Sequence, residues 1–600
     1  MVKKKLLAVS LAAIVSALGV AACGGSSYKA PVPVNVSLIG LNDFHGNLLP
    51  PTGSVTMADP ANPAGTRVSA GGIAFLSTLV NELKAQNPGN TLVVAAGDMI
   101  GGTPINSALF HDEPAIEAMN LLGLDVSSVG NHEFDKGRDE LLRMQNGGCF
   151  PKSADGSRGN VGVDTCMNDG KFSGAKFKYL AANVIDQKTG NTLFPSYTIK
   201  SVSGVDIGFI GLTLKDTPSV VTPSGVAGLS FVDEVETVNK LVPELKKQGV
   251  SAIVVLIHQG GQTTSTTVND KSCPGLNGEI VSLVDKLDSA IDVVVSGHTH
   301  MEYNCVRPDG KILTQTGSFG RMATKIDLQI EPLQRKVLSK SANNYVAVND
   351  VVLKDSAGKP IALPAGVTVK AKDSAMAAFV QRYVDKSAPI TNALIGKLEK
   401  TVTRTQNTAG ESQMGDIVAD IYLNGANGAA FGDKGAVIAF SNVGGIRSDL
   451  STSLDVTYGQ LFTVMPFGNN LTLLDLTGEQ IVRLLEQQWE APQPANGRIM
   501  QVSKGFSYTW DASKPTGAAS GAGNRVVAGS VKLNGVPLEM SKTYRVVVNN
   551  FMATGGDNFS VLKQGKNVQQ ADVDIDAGVA YFKKLGTVPF PGQDRISRIN

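Results

Sequence analysis

Short apolar runs alternate with longer amphipathic segments along the first half of the chain. Residues 36–41, 91–96, 126–129, 179–184, 206–212, 252–257 and 291–295 are rich in Val, Ile and Leu and read as strands. Residues 72–86, 113–122, 233–248 and 279–287 carry apolar side chains at helical spacing. This alternation predicts an α/β domain with buried, parallel strands. A second α/β pattern starts at residue 391, with a helix expected over 417–423 and strands over 436–440 and 544–548. Between the two, residues 373–386 place Met376, Phe379, Val380 and Tyr383 on one helical face, and that helix is expected to end before Ala388-Pro389. It reads as a linker helix, or equally as a helix packed on either domain.

The composition changes this picture little. With 600 residues, 42% of them hydrophobic and 18% charged, the chain has room for two or three domains. A formal charge of +1 gives no electrostatic argument for a nucleic acid polymer, a membrane surface or a strongly charged protein partner. No obligate protein partner is evident, and an anionic substrate must be gripped locally.

The amino terminus adds a location. Lys3-Lys4-Lys5 precedes an apolar run over 6–22 that ends in Val20-Ala21-Ala22-Cys23-Gly24. This resembles a bacterial lipoprotein signal peptide over 1–22, with Cys23 at the position that is lipidated and becomes the first mature residue. Residues 23–33 would then tether an exported protein to the membrane through its lipid alone, facing the periplasm or the cell surface. Gly24, where an Asp would mark inner-membrane retention, favours the outer membrane by the same resemblance. An uncleaved transmembrane anchor is the weaker alternative, because the run is short and small residues crowd its end.

Four cysteines remain, and in an exported chain they suggest disulfides. Of three connectivities, neighbour pairing is expected, Cys149 with Cys166 and Cys273 with Cys305. A zinc site is a poor reading, since no CxxC pair occurs.

The candidate chemistry lies just beyond the strands. Asn42-Asp43-Phe44-His45-Gly46 follows the first strand, Gly97-Asp98-Met99 the second and Gly130-Asn131-His132-Glu133-Phe134-Asp135 the third; His258-Gln259-Gly260 follows the sixth and Gly297-His298-Thr299-His300 the seventh. Taken alone, 130–135 is as readily a polar turn as a site. Five of the six histidines fall in these clusters, however, and all five clusters are expected to converge on one sheet edge. His111 is the exception, expected at the surface or at a helix cap. Mixed N/O donors without thiolates suit two divalent transition ions, zinc, manganese or similar, with Asp98 as the natural bridge.

In this order the motifs resemble calcineurin-like metallophosphoesterases and, with those further on, the two-domain 5'-nucleotidase family. The resemblance implies a four-layer αββα domain over 34–345, a linker with a helix over 346–390, and a smaller α/β substrate-binding domain over 391–600. It assigns Asp43, His45, Asp98 and His300 to one ion and Asp98, Asn131, His258 and His298 to the other. His132 and Asp135 would be a catalytic pair, with His132 donating to a phosphate oxygen and Asp135 holding its imidazole in the donating state. Glu133 is left without assigned chemistry and reads as a buried structural hydrogen-bond partner.

The second domain holds Ser441-Asn442-Val443-Gly444-Gly445-Ile446-Arg447, Met465-Pro466-Phe467-Gly468-Asn469 and Asn549-Asn550-Phe551, with Asp557 further on. An arginine beyond a glycine turn suits bidentate phosphate recognition, and aromatics on loops suit base stacking, although a solvated turn and a core aromatic are the commoner readings. The resemblance makes Phe467 and Phe551 a base-stacking pair, Asp557 a ribose ligand, Asn442 and Arg447 a substrate loop and Asn469 a base contact. Arg404 matches the first of the family's two upstream phosphate-gripping arginines; Thr408 stands where the second belongs, which puts strict preference for 5'-monophosphates in doubt. The activity implied is metal-dependent hydrolysis of nucleoside 5'-monophosphates. The alternatives are a 2',3'-cyclic nucleotide 2'-phosphodiesterase/3'-nucleotidase or UDP-sugar hydrolase and, more distantly, a non-catalytic nucleotide-binding surface lipoprotein.

Overall fold

A computed structural model describes residues 32–153, 156, 158–355, 357–427, 434–450 and 452–600. The signal-peptide segment and Cys23 lie outside these residues. Two six-stranded sheets form the first half of the chain. One runs Lys336–Val346, Met322–Glu331, Val34–Leu41, Thr91–Ala95, Val126–Ser128, Lys178–Leu180; the other runs Glu302–Val306, Ile312–Thr316, Val293–Ser296, Ala252–His258, Val205–Thr213, Tyr197–Val202.

Successive side chains of a strand point to opposite faces, and this builds the layers. Val36, Leu38, Val254 and Leu256 share one core between the sheets. Ile39 and Leu41 point the other way, toward helices Ile73–Ala85 and Glu113–Leu122. Ile253, Val255 and Ile257 face helices Glu234–Gln248 and Glu279–Lys286. The result is the four-layer αββα sandwich.

The expected parallel pairing holds only at the sheet centres. Strands Val34–Leu41 to Lys178–Leu180 run parallel, as do Val205–Thr213 to Ile312–Thr316 in sheet order, while the flanking strands are antiparallel. The strand expected over 179–184 is in fact two, Lys178–Leu180 and Val184–Asp186. The cause is a change of partner: Ala182 N donates to Gly211 O of the second sheet at 2.7 Å, which carries the chain out of the first. Cys149–Cys166 and Cys273–Cys305 are disulfide-bonded, the neighbour pairing.

The interdomain helix is longer than expected and spans Ser374–Thr391. Asp373 caps it by accepting from Met376 N at 3.0 Å, and Met376, Phe379, Val380 and Tyr383 pack into the helix-covered core of the first unit. Pro389 does not stop it. In the last turn its missing N–H deprives only the carbonyl of residue 385, which is exposed and near the helix end.

The second unit is built on a five-stranded sheet, Gln501–Val502, Ile438–Ser441, Thr543–Asn549, Asn470–Thr477, Lys566–Val573. Helix Gly478–Glu486 and the buried rings of Trp489 and Tyr508 cover one face; helices Gln413–Gly425 and Asp574–Leu585 cover the other. The helix expected over 417–423 starts a turn earlier, because Ser412 accepts from Gly415 N at 3.1 Å and caps it there. No helix among the described residues is long and apolar enough to cross a membrane.

Asp574, at the start of its helix, is 1% exposed. Its Oδ1 accepts from Ile575 N at 2.8 Å, yet burial pushes its pKa from 3.8 up to about 7. A carboxyl raised in this way holds a proton in the folded chain that the unfolded chain has already released. Its stabilising contribution is therefore complete below pH 3.8 and is lost as pH rises toward 7. Asp574→Asn is expected to gain on the wild type by up to about 1.4 kcal/mol per pH unit across that window. Melting curves from pH 4 to 8 measure this, and a gap that does not change with pH contradicts it.

Candidate metal centre and interdomain site

The five strand-end clusters do converge, but on the seam between the two sheets rather than on one edge. Three come from the first sheet, after Val34–Leu41, Thr91–Ala95 and Val126–Ser128; two come from the second, after Ala252–His258 and Val293–Ser296. Asp43, His45 and His258 are fully buried, and Asp98 and Asn131 nearly so. Ligand atoms of Asp43, His45 and His300 lie within 4.8 Å of one another, as do those of Asp43, Asp98 and His258. His132 forms a third such group with His45 and Asp98.

The donor atoms are arranged for a cation. His45 Nδ1 faces Gly101 O at 2.7 Å and His258 Nδ1 faces Ala96 O at 2.8 Å. A carbonyl only accepts, so both Nδ1 atoms carry hydrogen and both rings turn Nε2 inward, toward the other donor atoms. His45 Nε2 lies 3.1 Å from His300 Nε2; His258 Nε2 lies 3.1 Å from Asn131 Oδ1 and 3.0 Å from Asp98 Oδ2; His298 Nδ1 lies 3.0 Å from Asn131 Oδ1. Acceptors about 3 Å apart repel one another without a proton or metal between them, and this spacing is that of ligands around ions with bonds of about 2.0–2.2 Å. The donor set fits divalent transition ions on these grounds. Burial, reinforced by neighbouring positive charge, drives His45 and His298 well below the ordinary histidine pKa, which suits ligation by the neutral ring. Burial pulls His258 the same way, but the Asp98 carboxylate outweighs it and holds the ring up to about 9, a proton taking the place of a cation.

Surrounding groups aim these donors. Glu133 accepts from Asp98 N at 2.9 Å, Met99 N at 2.8 Å and Gly130 N at 2.7 Å, tying two metal loops together. His298 N donates to Asp43 Oδ2 at 3.0 Å and His132 N to Asp98 Oδ1 at 2.9 Å. A Cβ at Gly130 would overlap the Asp98 carboxylate, so only glycine fits there. Asp43, His45, Asp98, His298 and His300 all have positive φ, from 46° to 74°, a strained conformation for non-glycine residues.

His132 Nδ1 and Asp135 Oδ2 are 2.8 Å apart. Burial disfavours the His132 cation, but the Asp135 and Asp98 carboxylates outweigh it and raise its pKa. His111 is away from this cluster and is not a surface residue: it is 7% exposed, stacked on Phe150 at 3.7 Å and 3.1 Å from Asp164 Oδ2.

From the second unit, Phe467 stacks on the His132 ring, centroids 5.5 Å apart, and Arg447 Nη2 reaches within 3.4 Å of His45 Nε2. The two units thus meet at the metal cluster. Residues 37–302 match the family described as calcineurin-like phosphoesterase, and residues 392–564 match the 5'-nucleotidase C-terminal domain. The chain belongs to the 5'-nucleotidase family.

Relatives of this 5'-nucleotidase-family chain differ in length and in name. It is 31% identical over 555 residues to "Endonuclease YhcR" of Bacillus subtilis (strain 168), a match that covers 92% of this chain and only 40% of that protein. It is 26% identical over 581 residues to the 5'-nucleotidase of Vibrio cholerae, covering 92% and 90%. The crystal structure of the 5'-nucleotidase precursor from Thermus thermophilus is similar with a TM-score of 0.69 at 26% identity, covering 94% of this chain and all of that one.

The other residues expected in the substrate pocket are distributed unevenly. Asn442 is buried and engaged: Nδ2 donates to Asp557 Oδ2 at 2.8 Å and Oδ1 accepts from Asn549 Nδ2 at 3.0 Å. Asp557 also pairs with Arg498, a cation that the motifs did not single out. Phe551 lies against Gly556 and makes no ring contact with Phe467. The backbone carbonyl of Asn469 accepts from Asp574 N at 2.8 Å, at the start of helix Asp574–Leu585. Arg404 and Arg447 line one cavity, whereas Thr408 is exposed and offers only its carbonyl to Arg598, at 3.4 Å.

Glu133→Gln replaces a two-oxygen acceptor with an amide whose NH2 faces backbone N–H groups. The expected result is a loss of roughly 10–100-fold in metal affinity with the ligand side chains unchanged. Metal titration followed by elemental analysis reads this, and wild-type affinity would contradict it.

Proposed function

We propose that this chain hydrolyses nucleoside 5'-monophosphates to nucleoside and phosphate. The observation that carries the reading is the meeting of two units at one point: His132 belongs to the metal-binding unit, while the Phe467 ring and the Arg447 guanidinium beside it come from the other. Asp43, His45, Asp98 and His300 would hold one divalent cation, and Asp98, Asn131, His258 and His298 the second. Zinc, manganese or a similar pair, when bound, supplies Lewis acidity to the phosphoryl oxygens and lowers the pKa of water toward about 7.

The chain's own groups do the rest. Asp135 accepts from His132 Nδ1 and favours the protonated ring, leaving Nε2 to donate to the oxygen on which charge develops. Arg447 binds a phosphoryl oxygen. Phe467 and Phe551 provide the faces against which a base stacks, Asn442 and Arg498 hold the Asp557 carboxylate toward a ribose, and Asn469 contacts the base. Movement of one unit against the other admits the nucleotide. The amino-terminal pattern supports export and attachment through Cys23, with the small-molecule nucleotide as the partner.

Hydrolysis of a phosphodiester or of another nucleotide is the second reading. It is favoured by Thr408, which leaves the grip on a terminal phosphate one arginine short, and by the endonuclease name of one relative.

Purified protein is expected to release phosphate from AMP, with activity abolished by a chelator and restored by zinc or manganese. A panel of AMP, 3'-AMP, 2',3'-cyclic AMP and UDP-glucose separates the readings; no release from any of them with both metals bound refutes an enzyme of this class. His132→Ala is expected to lower kcat by about 10²–10⁴-fold with metal content intact, and unchanged turnover removes the role given to that ring.

A further inference from the structure

A cavity of about 580 Å³ opens beside His300 between the two units. Three guanidinium groups line it. Arg404 and Arg447 come from the second unit, and Arg321 comes from the first, three residues after Ser318 on the turn that leads into strand Met322–Glu331. None of the three forms an ion pair with a carboxylate among the described residues. One carboxylate, Asp449, also lines the cavity, and its Oδ1 accepts from the backbone N of Arg404 at 2.8 Å. The remaining charge is an excess of cations with little to balance it.

The unmet hydrogen bonds point the same way. Arg321 Nε, Arg447 Nε and Asn106 Nδ2 are buried and have no acceptor, and all three residues line this cavity. Asn106 is 5% exposed. Every one of these unmatched atoms is a donor, so the buried wall behind the cavity adds positive polarity to the guanidinium charge. Arg321 is also held in place: Nη2 donates to Thr52 O at 2.5 Å, and the guanidinium lies 4.9 Å over the Phe319 ring. Thr52 is in turn 2.9 Å from Ser448 Oγ of the second unit, which fixes this wall against Arg404 and Arg447. Burial and the nearby Arg404 charge lower the Arg321 pKa to about 10, still far above neutrality, so the group remains a cation that lacks a counter-ion.

We propose that Arg321, with Arg404, Arg447 and Asn106, forms a phosphate-binding subsite in the interdomain cavity. Arg321 supplies from the metal-binding unit the guanidinium that Thr408 does not supply from the other. The choice of phosphate as the anion rests on the phosphoesterase reading; the subsite itself rests on three guanidiniums that line one cavity without a carboxylate partner. Its occupant is either the phosphoryl group being hydrolysed, including the product phosphate, or a second phosphate carried by the substrate.

The test uses the full-length, metal-loaded protein and its Arg321→Met and Arg321→Lys variants, with metal content and melting temperature recorded for each. Inorganic phosphate binding is measured by calorimetry, and KM and kcat are measured for AMP and for adenosine 3',5'-bisphosphate. Arg321→Met is expected to weaken phosphate binding at least tenfold, with Arg321→Lys recovering part of the loss. A rise in KM for AMP at constant kcat then assigns the subsite to the reacting phosphate; a rise confined to the bisphosphate assigns it to a second phosphate. Phosphate affinity within twofold of wild type in a folded, metal-loaded Arg321→Met protein overturns the proposal. If Arg321→Met fails to fold, Arg321→Lys carries the test, with unchanged phosphate affinity counting against the subsite. Absence of all nucleotide hydrolysis alongside Arg321-dependent phosphate binding would overturn the proposed activity and leave the subsite standing, and active enzyme with Arg321-independent binding would do the reverse.

Discussion

Ring nitrogens and side-chain oxygens crowded to about 3 Å of one another are the constraint on which this structure depends. His45 Nε2 and His300 Nε2, and His258 Nε2 with Asn131 Oδ1 and Asp98 Oδ2, are held at distances that need a proton or a cation between them. Keeping them there requires a rigid surround. Backbone carbonyls fix the His45 and His258 tautomers, Glu133 pins two loops together, and Gly130 lets the backbone close on Asp98. Five left-handed non-glycine residues add strain of about 1–3 kcal/mol each. The doubly packed sheets beneath supply the rigidity that holds such loops in place.

The second unit completes the site with different chemistry. Among the described residues it contributes no metal-type ligand to the cluster; it brings a ring onto His132 and a guanidinium beside His45. A nucleotide has an anionic head and an aromatic base, and this division suits it: the Asp and His donors come from one unit, the Phe467 ring and the Arg447 guanidinium from the other. Burial strengthens each of these electrostatic contacts, because less water screens them.

The metal cluster was legible in the sequence because each of its parts is local. A buried strand announces itself by apolar composition, the residues after it are its carboxyl end, and five of six histidines occupied such ends. The Cys149–Cys166 and Cys273–Cys305 pairing was also within reach. Arg321 and Arg498 were not, since neither belongs to a motif and each acquires its place only from what packs opposite. His111 had no local mark of burial, which it owes to stacking on Phe150. The division of 179–184 between two partners, and the continuation of the interdomain helix through Pro389, depended equally on distant contacts.

By itself the sequence determined the α/β periodicity, the order of the strand-end clusters, the donor types and hence the class of ion they suit. These follow from side-chain chemistry and from spacing along the chain, which need no partner. Only the tertiary structure decided that the clusters meet across a seam between two sheets and that Phe467 and Arg447 stand against His132 and His45. It alone placed three guanidiniums with one carboxylate around a single cavity. Those are relations between residues hundreds of positions apart, set by packing and electrostatics that no local pattern carries.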